Sequence, residues 1–141
     1  MMLKALAFAL TLTLGVFTAA DARADNGREQ AIRSVIEQQL QAFQQDDGQA
    51  AFAHASPMIQ NMFKNPANFM HMVKTGYQPV YRPREVSFQD LTMVNGELVQ
   101  RVLLVGPNNE VVVAHYMMQQ QPDGVWKING CILKSADESV V

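Results

Sequence analysis

Three groupings of side chains in this 141-residue chain have chemistry to offer. The densest is Met70-His71-Met72, with His54, Met58 and Met62 upstream. Thioethers and imidazole are the donors that suit copper(I). The spacing argues against a metal site. On a helix of 3.6 residues per turn, Met70 and Met72 point roughly 200° apart and cannot close on one ion. Met58 and Met62 do share a face, but that spacing is also how a helix packs a core, and methionine fills irregular gaps well. We therefore expect no metal and no cofactor.

The second grouping is an acid–base pair, Tyr116 and Asp90. Burial shifts the proton affinity of such groups and can fit them for proton transfer. The competing role for Tyr116 is a core residue with one satisfied hydroxyl. The third is the stretch Tyr77-Gln78-Pro79-Val80-Tyr81-Arg82-Pro83-Arg84. Its two arginines could grip a carboxylate or phosphate. More blandly, it is a connecting arm whose prolines discourage pairing and whose arginines meet Glu85 or Asp90. The single cysteine, Cys131, can form no internal disulfide and is expected to be buried and inert.

The elements that must position these groups fall into two halves. Residues 26–76 carry helical periodicity. Asn26-Gly27-Arg28-Glu29 reads as a capping box, and Ile32, Val35, Ile36, Leu40 and Phe43 follow on one face. Gln38, Gln39, Gln41 and Gln44 line the other. Asp46-Asp47-Gly48 ends that helix and starts a shorter one through Ala53. Ser56-Pro57 and Asn65-Pro66 each place an N-cap before a first-turn proline, and Gly76 stands where a left-handed cap would end the last helix.

From Arg84 onward the pattern becomes extended. Strands are expected over 84–93, 97–105, 111–120 and 125–133, with turns at Asn95-Gly96, 106–109 and 122–124. A three-residue last turn with Gly124 left-handed pairs Met118 with Ile128 and Tyr116 with Gly130. Tyr116, Met118, Trp126 and Ile128 then share the inner face. His115, Met117, Gln119, Lys127 and Asn129 share the outer one, which solvent or a second subunit would cover.

At the N-terminus, Lys4, an apolar run over 5–20 and Ala22-Arg23-Ala24 form an export signal cleaved after Ala24. The run is shorter than the roughly 20 residues a membrane span needs, so no transmembrane anchor remains after cleavage. The expected organisation is a signal over 1–24, one α+β domain over 25–134 and a polar tail over 135–141, periplasmic or secreted. The remaining 117 residues carry nine Lys and Arg against twelve Asp and Glu. No basic stripe fits a phosphate backbone, so nucleic acid is not an expected partner.

Helices followed by an antiparallel sheet ending in Asp123-Gly124-x-Trp126-x-Ile128 resemble the nuclear transport factor 2-like superfamily, which includes ketosteroid isomerase and the SnoaL-like cyclases. A closer resemblance rests on Asp46-Asp47-Gly48, Ala51-Phe52-Ala53, Ser56-Pro57, Phe69 with Met72-Val73, Tyr77-x-Pro79-Val80 and Gly130-Cys131. In that order they are similar to a bacterial family known as domain of unknown function 4864. The resemblance implies helices packed into a curved sheet as a cone, often dimeric through the outer sheet face. Phe52, Met62, Phe69, Met72, Tyr81, Arg82, Tyr116, Met118 and Trp126 are the candidate residues for a small apolar ligand in that cone, although side chains this bulky favour a filled interior. The residues favour a binding or accessory module. The alternative is a cofactor-independent isomerase, dehydratase or cyclase using Tyr116 and a polar residue at the mouth.

Overall fold

The computed structural model describes residues 19–136; the expected export signal as far as residue 18 and the expected tail from residue 137 lie outside the described residues. Five helices come first: α1 (Ala19–Gln44), α2 (Gly48–Ala53), α3 (Pro57–Phe63), α4 (Pro66–Gly76) and the single turn α5 (Gln78–Tyr81). Four strands follow: β1 (Glu85–Val94), β2 (Glu97–Val105), β3 (Val111–Gln120) and β4 (Trp126–Ser135). They form one curved, open antiparallel meander in the order β1-β2-β3-β4. The fold is α+β, as expected.

Local chemistry accounts for most boundaries. The Asp47 side chain accepts from the Ala50 amide, Ser56 from Ile59 and Asn65 from Asn68, so each of α2, α3 and α4 has its N-cap. Prolines open the first turns of α3 and α4. Asn95 and Gly96, with φ of 50° and 83°, make the tight β1–β2 hairpin, and Gly124 at φ 89° makes the β3–β4 turn.

Three boundaries differ from expectation. The capping box at Asn26 does not form, because α1 runs through it from Ala19. The alanines at 19, 20, 22 and 24 are strong helix formers, and their turn supplies the carbonyls that the Asn26 side chain would replace. Gly76 is the last residue of α4 and has no positive φ; the chain leaves through Tyr77 at φ −135°. Residues 77–83 form the connecting arm but hold a helical turn rather than extended chain, since Pro79 sits where a first-turn proline is tolerated.

The core lies between the inner sheet face and α1, α2 and α4. Ile32, Ile36, Leu40 and Phe43 are buried along α1, and Leu98, Val102, Leu104, Ala114, Tyr116, Met118 and Ile128 meet them from the sheet. Phe69 stands at the centre of an aromatic cluster, with ring centroids 6.0 Å from Phe43, 5.4 Å from Phe52 and 5.7 Å from Phe63.

Two bulges shape the sheet. In β1 the register slips between Phe88 and Leu91, and the buried Gln100 amide donates to the carbonyls of Gln89 at 3.0 Å and Asp90 at 3.3 Å. In β4 the pairing Met118–Ile128 holds as expected, but a slip at Asn129 pairs Tyr116 with Cys131 instead of Gly130. The slip turns Cys131 inward and leaves Ile132 exposed. It is fixed from outside the sheet. The Ile128 amide donates to His54 O at 2.9 Å, the Ser56 amide to Ile128 O at 2.8 Å, and the Ser56 hydroxyl to Asn129 Oδ1 at 2.8 Å.

Candidate functional site

The interior is not filled. A cavity of about 350 Å³ lies between α1, α3, α4 and the inner face of β3 and β4. That is within the range of small-molecule sites. Phe43, Phe63, Phe69, Val73, Val80 and Ile128 supply much of an almost wholly apolar wall. The space lies where side chains this bulky were expected to pack. Phe43, Phe63 and Phe69 of the aromatic cluster and Ile128, Gly130 and Cys131 around the β4 bulge stand in its wall.

Helix α3 makes the roof. Ile59, Met62 and Phe63 border the cavity, yet no residue of α3 is buried, and Met58 and Met62 are 52% and 61% exposed. The core role expected for those two methionines is not taken up: Met62 stands at the rim and Met58 is exposed. Ser56 and Lys64 end the helix, the latter at φ 78°.

Four polar side chains border the space. Tyr116 reaches it from β3, is 1% exposed, and its hydroxyl has no hydrogen-bond partner of ordinary geometry. The one side chain that interacts with it is Cys131, across the β3–β4 pair. Burial raises the Tyr116 hydroxyl well above its usual proton affinity, and the thiol beside it adds to that. Cys131 is half-buried as a residue but its sulfur is enclosed, and burial pushes the thiol up to about 12. Tyr77 is spent on structure, donating to Cys131 O at 3.0 Å; burial raises its proton affinity too. Gln39 donates to Ala51 O at 3.1 Å.

None of these groups is charged at neutral pH. The wall holds no Lys, Arg, His, Asp or Glu. With both the phenol and the thiol held in their protonated forms, the cavity offers a hydrogen-bond donor and no base.

Of the expected ligand residues, Met62, Phe69, Met72 and Tyr116 line the cavity. Phe52 and Met118 are core residues beside it, and Trp126 is half-buried against the core. Tyr81 and Arg82 are elsewhere. Tyr81 donates to Asp46, and Arg82 donates to Phe43 O and pairs with Asp46 at 3.0 Å, its guanidinium 4.0 Å above the Tyr81 ring. They tie the end of α1 to α5. The Tyr81 hydrogen bond, opposed by desolvation and aided by Arg82, holds the Asp46 carboxyl below its usual range.

Asp90 does not enter the cavity. It is exposed on the outer side of the β1 bulge and pairs with Arg101 at 2.9 Å. The arginines expected near Glu85 or Asp90 meet other partners, Arg82 taking Asp46 and Arg84 taking Asn109. On the outer face His115 stands opposite Arg101, with its proton affinity lowered by burial and by Lys134 and Arg101. Gln119 is exposed, and Lys127 donates to Ala53 O. Met117 borders the cavity near Gly130. Among the described residues no group of three His, Cys, Asp or Glu side chains gathers as a metal site would require. No helix there is long and apolar enough to cross a membrane.

Sequence reasoning missed Gln39 and understated Tyr77. Gln39 was assigned to the polar face of α1 but is 4% exposed. The signal was present: Ile32, Ile36, Gln39 and Phe43 are spaced four, three and four apart, which is one helix face.

The chain belongs to the family described as Domain of unknown function (DUF4864), which matches residues 25–141. No curated protein and no solved structure matches it.

Proposed function

We propose that this member of the DUF4864 family is an exported binding module that holds a small apolar molecule beneath α3. One observation carries the reading: a cavity of about 350 Å³ with an apolar wall and a single buried, unpartnered hydroxyl. Interiors are ordinarily packed to crystal density, and each unfilled volume forfeits contacts. A wall kept open under a weakly packed roof helix is what a ligand would compensate. The absence of a charged group in the wall favours holding a molecule over transforming it. An isomerase or dehydratase would need a base there, and Asp90 lies across the sheet.

Export is supported by Lys4, the apolar run over 5–20 and Ala22-Arg23-Ala24, and by a family match that begins at Asp25, the first residue after the expected cut. The order of helices before a curved sheet supports a nuclear transport factor 2-like architecture. Exposed Ile132, paired with His115 on the outer face, supports a homodimer through that face.

The test is titration with N-phenyl-1-naphthylamine, a neutral apolar fluorophore. Saturable binding of one molecule per chain, abolished by Ile59→Trp, which fills the cavity from its roof, is the expected result. Binding that does not saturate, or that Ile59→Trp leaves unchanged, overturns the reading.

A further inference from the structure

We infer that the molecule held in this cavity is uncharged and carries one hydrogen-bond acceptor, such as a ketone or ester carbonyl, seated on the Tyr116 hydroxyl. The inference rests on the binding reading above and adds the chemistry of the ligand.

The argument starts from an unsatisfied donor. Buried polar side-chain atoms nearly always have a partner, and each exception calls for a reason. Tyr116 is 1% exposed, and its hydroxyl meets only the Cys131 thiol, with no nitrogen or oxygen partner among the described residues. A thiol is a weak partner in either direction, so Cys131 does not discharge the need. Water is a poor substitute, because a buried water requires two to four polar partners, and of the four polar side chains that border the space Tyr77 and Gln39 are already bonded to backbone carbonyls. An acceptor on a ligand would satisfy the hydroxyl while its apolar remainder met Phe69, Val73 and Ile128.

The same wall excludes the charged relatives of such a molecule. A carboxylate placed there would lose its hydration with no Lys or Arg to meet it, and an ammonium would find no carboxylate. Fatty acids and amines are therefore rejected even where their hydrocarbon portions fit. Selection comes from an uncompensated charge as much as from a contact made.

The experiment displaces N-phenyl-1-naphthylamine with four molecules of similar size: butyrophenone, butylbenzene, 4-phenylbutyrate and 4-phenylbutylammonium. In the unaltered protein butyrophenone should compete about tenfold better than butylbenzene, the factor one buried hydrogen bond supplies. Both charged molecules should compete more weakly than either. In Tyr116→Phe the advantage of the ketone should vanish while butylbenzene competes as before. Because Tyr116→Phe deletes an unpartnered hydroxyl, the variant should fold. The carbonyl stretch of bound butyrophenone should lie at lower frequency in the unaltered protein than in Tyr116→Phe, a signature that affinity does not enter. Equal competition by ketone and hydrocarbon, or strongest competition by 4-phenylbutyrate, overturns the inference and leaves the binding reading standing. Failure of the fluorophore and of all four molecules to bind overturns both.

Discussion

Helices α3 and α4 begin with the same device and end in different roles. Each has a short polar N-cap followed by proline, Ser56-Pro57 in one and Asn65-Pro66 in the other. Yet α4 buries Phe69, Met70 and Val73, while α3 buries nothing. The difference lies in what each helix faces. Helix α4 sets Phe69 among Phe43, Phe52 and Phe63; α3 lies over the cavity, joins that cluster through half-buried Phe63, and is held by Ser56 to β4. Capping sets where a helix starts and leaves open what it will cover.

The largest effect that would sharpen this contrast comes from the centre of α4. Phe69→Ala removes the ring that joins Phe43, Phe52 and Phe63 and should cost about 4 kcal/mol in urea unfolding. The caps should differ next. Ser56 is fully buried and binds both the Ile59 amide and Asn129 Oδ1, so Ser56→Ala should cost about 2 kcal/mol, with Asn129 left short of a donor. Asn65 is exposed and caps only Asn68, so Asn65→Ala should cost about 1 kcal/mol. Met58→Ala, at a half-exposed site on α3, should change stability by less than about 0.5 kcal/mol. If Met58→Ala costs as much as Phe69→Ala, α3 is a core helix and the contrast fails.

The pH dependence offers a finer test. Cys131 and Tyr116 have folded-state values raised above their ordinary ones near 9 and 10, so both favour the folded state while protonated. Their contribution is fully present below pH 9 and is lost as the pH rises toward the Cys131 value of about 12. Thermal melts should show stability falling over that window, with a shallower fall in Cys131→Ala. An equally steep fall in that variant would place the thiol outside the enclosed wall.

What could be seen in the sequence followed from local rules. Asn95-Gly96 fixed one hairpin and Gly124 another, and the alternation of Tyr116, Met118 and Ile128 put them together on the buried face. What escaped was set by distant partners. The Asn129 bulge depends on His54 and Ser56, more than seventy residues away in sequence, and it decides that Cys131 meets Tyr116. No local pattern carries that contact. The cavity escaped for a related reason: its side chains looked like core filler, and how closely they approach is set by elements far apart in sequence. Asp90 was attractive as an acid until the β1 bulge turned it toward Arg101.

The most direct test of the central claim is a crystal structure of the protein soaked with butyrophenone. The account predicts one molecule beneath α3, its ring among Phe69 and Val73, and its carbonyl oxygen within about 3 Å of the Tyr116 hydroxyl. A cavity closed by α3, with the Tyr116 hydroxyl bonded to another protein group and no ligand density, would contradict it.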